Sequence, residues 1–377
     1  MTAVLGLLGS GGAVGRHVAP LLVDGGARVL LGGRDRARLD RSPGHERVVV
    51  DVDDPHGLER FARRCDVVVD CTGPARRTAP RVLRAALAGG AHYVGASGEE
   101  LLDGPGSGEF GDPDGGLCAV LGAGMAPGLS ALLPRALAAG LDRPERLVAY
   151  AGGRDRFTWA SAQDYVAGAR DGGGRSLSAW SGGCRVPGAL TPLTDAELPF
   201  FPGPVTAYPF LSAETERLAR DLGLAEAHWY NVFDGGHALR ALSSPSDGDL
   251  REAAGRLVRA AELDLFGRTP YQLMVFRLEG ERDGRPHRRT LVLRADDSYA
   301  LTAAFTAFAV RCVLAGEVAP GPLPADEAVD ARTAPDRLAA MPGVGHLRIL
   351  EDAPPAEEED APPVEEEDAP PVEEGVL

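Results

Sequence analysis

The chain reads as an α/β protein: a doubly wound parallel sheet, then a second α+β sheet domain, then an acidic tail. Three observations point there. Short apolar runs alternate with amphipathic helical segments over residues 1–125. Longer β-rich runs with a hairpin signal occupy residues 126–295. An apolar helical run, Ser298–Leu314, follows and suits a return onto the first sheet. Strands alternating with helices of about 10–15 residues build a parallel sheet, because each crossover helix must cover one of its faces.

The first strand, Val4–Leu8, runs into Gly9-Ser10-Gly11-Gly12-Ala13-Val14-Gly15, and an amphipathic segment, Arg16–Val23, follows. Glycines let the backbone turn tightly and approach a pyrophosphate, which then rests on the helix N-terminus. Gly9, Ser10, Gly11, Gly12, Ala13 and Val14 are the candidate contacts of a dinucleotide. The second strand, Arg28–Leu31, ends in Gly32-Gly33-Arg34-Asp35-Arg36. NAD-binding sheets place an acid about 20 residues past the glycine motif to hold the ribose hydroxyls. Here Gly33 takes that place and Arg34 follows. A carboxylate would repel a 2′-phosphate, whereas a guanidinium fork can bond it twice. The cofactor expected is NADPH. The alternative is that Asp35 touches the ribose while Arg34 and Arg36 stay solvated. Further strands are expected at Arg47–Val50, Asp66–Cys71, His92–Val94 and Leu117–Leu121, with a helix over Ala79–Ala88. Asp51 follows the third strand, where an adenine would rest.

Beyond residue 125 the runs Arg146–Gly152, Gln272–Glu279 and His287–Leu293 are β-rich, and Asp283-Gly284 between the last two is a hairpin signal. The division expected is a dinucleotide-binding domain at 1–125, a substrate or dimerisation domain at 126–295, and a return helix and C-terminal part packing on the first domain at 296–350. Residues 351–377 repeat Glu-Asp-Ala-Pro-Pro with period eight. Proline pairs block helix and like charges extend the chain, so a disordered acidic tail is expected, for solubility or for docking a protein partner.

Composition narrows the function. The 377 residues, 44% hydrophobic and 25% charged, suit a soluble globular protein of about two domains. No apolar run approaches the roughly 20 residues that span a bilayer. The first strand starts almost at the N-terminus, so no signal peptide and a cytoplasmic protein are expected. The five cysteines are scattered, without disulfide or metal-ligand spacing, and no metal site is expected. The net charge of -16 lies mostly in the tail, whose twelve acids leave the rest of the chain at only -4. There is no basic stripe with interleaved aromatics, so nucleic acid is not an expected partner. The sequence holds no lysine, which excludes Schiff-base and P-loop lysine chemistry.

The strand-end motifs are more specific than the glycines. The fourth strand ends Val69-Asp70-Cys71-Thr72-Gly73-Pro74, the fifth His92-Tyr93-Val94-Gly95-Ala96-Ser97-Gly98-Glu99, and the sixth Leu121-Gly122-Ala123-Gly124-Met125-Ala126-Pro127-Gly128. With Gly33-Arg34 and Asp297-Ser298-Tyr299-Ala300-Leu301-Thr302-Ala303, the chain resembles the saccharopine dehydrogenase-like reductases. The resemblance implies hydride transfer to or from a carbon–nitrogen bond, and a second domain that closes over the substrate and often pairs two subunits, hence a homodimer. It places Thr72, Gly73 and Pro74 beside the nicotinamide ribose and Ser97-Gly98-Glu99 at the same mouth. One departure bears on substrate. By the resemblance, saccharopine-forming reductases carry Asp-Pro-Gly after the sixth strand, and here Ala126 precedes Pro127-Gly128, so a substrate other than saccharopine is expected.

Reducing an imine also needs a proton at nitrogen. Glu99, Tyr165, His228 and Tyr230 are the candidate catalytic residues. Tyr165 belongs to a cluster with Arg156, Trp159 and Asp164, and His228 and Tyr230 to one with Trp229 and His237. Packing roles are the alternative for these aromatics. The activity expected is NADPH-dependent reduction of a C=N bond in a small-molecule, imine or enamine substrate of secondary metabolism. The alternatives are reduction of a conjugated C=C bond, and a non-catalytic nucleotide-binding protein whose tail recruits a partner. From Gly33-Arg34, NADPH should bind at least about tenfold more tightly than NADH, about 1.4 kcal/mol. Arg34→Ala should erase most of that gap in paired titrations of the two cofactors, and equal affinities in the parent protein would refute the assignment.

Overall fold

The computed structural model describes residues 2–102, 116–170, 175–243 and 249–352. In its first part strand and helix alternate. β1 (Val4–Leu8) leads to α1 (Gly15–Asp24), β2 (Arg28–Gly33), α2 (Arg36–Leu39) and β3 (Glu46–Val49). Then come α3 (Pro55–Ala62), β4 (Val67–Asp70), α4 (Ala75–Ala88), β5 (His92–Gly95) and β6 (Cys118–Leu121). The strands lie in the order β3-β2-β1-β4-β5-β6, all parallel. The order reverses between β1 and β4, and ligands of such sheets bind at that switch point beyond the strand ends. The strands carry Leu5, Leu7, Val29, Leu31, Val67 and Val69, all buried, as both faces of a parallel sheet must be.

α5 (Leu129–Ala138) crosses to a second, mixed sheet. Its elements are β7 (Arg143–Arg154), α6 (Trp159–Arg170), β8 (Ala179–Ser181), β9 (Cys184–Val186), β10 (Leu193–Ala196), β11 (Val205–Pro209) and α7 (Ala213–Asp221). They continue with β12 (Glu226–Phe233), α8 (Gly236–Ser243), α9 (Leu250–Leu265), β13 (Tyr271–Arg282) and β14 (Arg285–Ala295). β7 and β12 pair in parallel, and β13 pairs antiparallel with both β7 and β14. The β13–β14 hairpin closes at Arg282↔Arg285. Its two turn residues, Asp283 at φ 53° and Gly284 at φ 71°, both take the left-handed conformation that a tight hairpin needs.

The segment from residue 296 onward serves both sheets. α10 (Ser298–Leu314) packs on α1, β4 and β5, and β15 (Gly321–Pro324) extends the first sheet beside β6. After α11 (Ala325–Ala328) and α12 (Ala334–Ala339), β16 (His346–Asp352) joins the second sheet along β14. Glu351 and Asp352 therefore end a strand and do not begin the tail, whose remaining residues lie outside the described ones. Among the described residues, no helix is long and apolar enough to cross a membrane, and no cluster of His, Cys, Asp or Glu could hold a metal ion.

One hydrophobic core connects the sheets. It takes in Leu7 and Val69 of the first, Leu147, Phe276 and Leu291 of the second, and Leu301, Phe305 and Phe308 of α10. Phe305 is fully buried. Phe305→Ala should cost about 3–5 kcal/mol, because it removes buried area and leaves a cavity. Trp180 and Trp229 lie in the same core, so urea denaturation followed by tryptophan fluorescence should register the loss. A change under about 1 kcal/mol, typical of surface positions, would show that the two sheets do not share this helix energetically.

Candidate active site

The glycine turn comes first, because it fixes where β1 ends. Gly9 has φ 80°, and a Cβ there would lie 2.5 Å from the Cys71 carbonyl oxygen at the end of β4. A Cβ on Gly15 would lie 2.2 Å from the Gly9 carbonyl oxygen. Only glycine permits this crossing of strand, turn and helix. Gly12 N–H donates to the Gly9 carbonyl at 2.9 Å and Gly9 N–H to the Gly32 carbonyl at 3.1 Å. α1 has no acidic residue in its first turn and no side-chain cap. Its positive dipole end therefore meets a phosphate with no competing carboxylate.

Gly9, Gly11, Gly12, Ala13 and Val14 line a cleft of about 1150 Å³ that runs along the strand ends of the first sheet. At one end lie Gly33, Arg34, Asp35 and Arg38. Asp35 is occupied in capping α2: its Oδ1 accepts from Ala37 N–H at 2.9 Å and Arg38 N–H at 3.4 Å. Arg34 has no hydrogen-bond or ion-pair partner among the described residues. An arginine fork beside the glycine turn with no internal carboxylate suits a 2′-phosphate. Two of the sequence candidates stand back from the cleft. Asp51 turns its Oδ1 onto Asp53 N–H at 3.0 Å, and its neighbours Val50 and Val52 line the wall instead. Ser10 is fully buried, and its carbonyl accepts from the Ser42 hydroxyl at 3.1 Å.

At the other end the cleft has walls from both sheets. Thr72, Gly73, Pro74, Ser97, Met125 and Ala126 face Trp159, Ala160, Gln163, Asp164 and Tyr299. The walls are close: a Cβ on Gly73 would lie 3.0 Å from Ala160 Cβ. Asp70, buried at the end of β4, shapes the Thr72 loop. Its Oδ1 accepts from Thr72 N–H at 2.8 Å and the Thr72 hydroxyl at 2.6 Å, and its Oδ2 from the Tyr93 hydroxyl at 3.1 Å. From α6, both carboxylate oxygens of Asp164 accept from Ala75 N–H at 3.1 Å, at the start of α4. Burial pushes the Asp164 carboxyl above the usual carboxylate range, against the pull of the Ala75 amide. The other polar groups here are engaged. Asp155 accepts from Ser298 N–H at 2.6 Å and Arg156 N–H at 2.7 Å. The Tyr299 hydroxyl accepts from Thr158 N–H at 2.8 Å and donates to the Arg156 carbonyl at 2.9 Å.

The four candidate catalytic residues do not meet in this cleft. Glu99 forms an ion pair with Arg217 of α7, which also holds Asp326 at 3.0 Å. Tyr165 is turned inward: its hydroxyl accepts from Asn231 Nδ2 at 3.4 Å, and burial pushes the phenol up to about 12. His228 and Tyr230 point to the face of the second sheet away from the shared core and line a separate cavity of about 290 Å³. Trp229, between them, points into the core, as strand alternation requires. His237 N–H donates to Asp264 Oδ1 at 3.0 Å, between α8 and α9. Of the Arg156, Trp159, Asp164 and Tyr165 cluster, the first three do line the cleft. Arg38, Arg77 and Tyr299 line it too; none was a candidate site residue from the sequence, where Tyr299 entered only as part of the Asp297–Ala303 motif. For Tyr299 a signal was present, since it lies two residues after the helix-capping Asp297.

Residues 5–102 match the family model of the saccharopine dehydrogenase NADP binding domain. No curated protein matches the sequence. Among solved structures, apo saccharopine dehydrogenase (L-Glu forming) from Saccharomyces cerevisiae is similar at TM-score 0.64 and 16% identity, covering 93% of this chain and 100% of that one. DAP dehydrogenase of C. glutamicum in complex with DAP gives TM-score 0.48 at 15% identity, over 90% of this chain and 97% of that one. The likeness to the yeast enzyme is one of fold. Residues 5–102, with the glycine turn and Arg34 that line the cleft, thus form an NADP binding domain of the saccharopine dehydrogenase type.

Proposed function

We propose that this oxidoreductase reduces the C=N bond of a small imine of secondary metabolism. The carrying observation is Asp164. It is half-buried on the second-sheet wall that faces Thr72–Pro74, and burial raises its carboxyl above the usual range against the pull of the Ala75 amide and of Arg76. NADPH supplies a hydride when bound. The glycine turn and α1 would hold its pyrophosphate, and Arg34 its 2′-phosphate.

The chain's own task is then at nitrogen. As the carbon accepts a hydride, the π pair of C=N moves to nitrogen, and a proton must arrive there. Asp164 in its acid form would donate that proton and leave as a carboxylate, which the Ala75 amide at the start of α4 stabilises. A raised pKa keeps the acid form available nearer to neutral pH. Met125 and Ala126 give the facing wall no charge at the end of β6, which suits a substrate with no cationic head to pair there. Trp159 and Phe157 add apolar surface that excludes water, and an imine would hydrolyse in water. Reduction of a C=C bond would use the same proton donor at carbon, and analysis of the product separates the two.

Asp164→Asn keeps an acceptor for the Ala75 amide and removes the acid. It should lower kcat by about 10²–10⁴-fold while NADPH affinity stays within about threefold, roughly 0.65 kcal/mol. In the parent protein the acid form is the active one, so kcat should fall as pH rises through the raised Asp164 pKa. That fall should vanish in Asp164→Asn. Turnover of screened imines, followed by NADPH absorbance, that is unaffected by the substitution would remove Asp164 from the chemistry.

A further inference from the structure

The cavity that holds His228 and Tyr230 lies on the second sheet, well outside the cofactor cleft. Its floor is the outward face of β12, β7, β13 and β14, and it is lined by arginine and tyrosine. Register places its residues in rows. Glu279 lies between Arg146 and Arg288, and Arg288 lies opposite Asp352. In the next row Arg277 lies between Val148 and Thr290. Arg146 pairs with Glu226 at 3.1 Å and Glu279 at 3.5 Å, and Arg288 with Glu279 at 2.9 Å. Arg277 has no carboxylate partner among the described residues, nor has the exposed Arg348 of β16. The face thus carries more cations than anions. Beside them Tyr150 and Tyr230 stack, with ring centroids 5.2 Å apart and planes 20° apart.

The chain itself contains a segment of the matching chemistry that starts at the rim. β16 ends at Asp352, directly opposite the cavity residue Arg288. The residues after it are Ala353-Pro354-Pro355-Ala356-Glu357-Glu358-Glu359-Asp360, and ten acids without one basic residue follow Asp352 in all. We propose that this C-terminal acidic repeat docks on the arginine–tyrosine face of the second sheet of its own chain. The carboxylates of Glu357–Asp360 would meet Arg277, Arg288 and Arg146, and the proline pair that follows them, Pro362-Pro363, would lie on the tyrosine faces, as proline-rich segments do in aromatic grooves. The reach is right. Crossing from β16 to β12 takes four strand spacings, about 19 Å. An extended proline-rich segment rises about 3.1 Å per residue, so the first acid run lies about 15–25 Å past Asp352. Tethering beside the site raises the effective concentration of the segment, so weak individual ion pairs suffice.

The experiment is limited digestion of the full chain with a glutamyl endopeptidase, with cleavage at Glu357–Glu359 followed by mass spectrometry. The key variant is Arg277→Glu, which breaks no internal pair, and Arg348→Ala is a second, milder one. Equal melting temperatures would show that the fold is kept. Docking predicts slow cleavage in the parent at low salt. Cleavage should be about fivefold or more faster in Arg277→Glu, corresponding to about one ion pair. It should also be faster in the parent at about 1 M salt, where the Debye length falls to about 3 Å. Equal rates in parent and Arg277→Glu at low salt would overturn the proposal. So would a halved sedimenting mass of Arg277→Glu with unchanged cleavage, because the face would then belong to a second copy of the chain.

Discussion

Burial of α10 on every side is the constraint from which the cleft follows. A helix that is apolar all round cannot lie on a surface, so it must be enclosed by both sheets. Once enclosed, it holds the two walls together at its N-terminal half. Thr302 accepts from Met125 N–H at 3.2 Å, and the Thr306 hydroxyl donates to the Ala123 carbonyl at 2.7 Å, which fixes the loop after β6. Ser298 N–H donates to Asp155 at the end of β7. Asp297 caps the helix through Ala300 N–H at 2.7 Å. The strand ends that hold the cofactor and the segment that leads to α6 are therefore anchored to one rigid element. Motion of one wall against the other must involve this helix or the loops at its start.

A second set of interactions holds the back of the cleft. Glu214 of α7 is fully buried and accepts from Gly128 N–H at 2.6 Å and from the Ser130 hydroxyl, at the start of α5. Burial, with Glu99 and Asp326 nearby, raises its carboxyl well above the usual range. Arg217 lies between Glu99 and Asp326, and Arg135 bonds Asp326 at 2.8 Å and Asp221 at 2.7 Å. This network binds the end of β5 to α5, α7 and α11. Glu99 belongs to it, its carboxylate held by Arg217. Its contribution to the site is to position the loop that carries Ser97.

Much of the first sheet was legible from local rules. β1 and α10 have the ends that their apolar runs and flanking residues imply, because both are bounded by strong signals: the glycine turn for one, the capping Asp297 for the other. The Asp283-Gly284 turn was legible because few residues tolerate two consecutive left-handed conformations. β15 and β16 were not legible. β15 contains two prolines and β16 alternates charge with aliphatic residues, and each becomes a strand only because a longer strand offers it a partner.

The site divides along the same line. The turn at Gly9, the bare first turn of α1 and the arginine after β2 were set by residue type and spacing within about 30 residues, so the NADP preference could be read from the chain. The substrate wall depends on contacts between residues far apart in sequence. Asp164 meets Ala75 across 89 positions and Thr302 meets Met125 across 177. No local pattern tells a tyrosine or histidine on a strand which sheet face will meet the cofactor. His228 and Tyr230 face away because Trp229 takes the core side, and alternation leaves its neighbours no other choice. Chemistry of residue types was thus written in the sequence, while the assignment of those residues to one cleft or the other came from how the two sheets share α10.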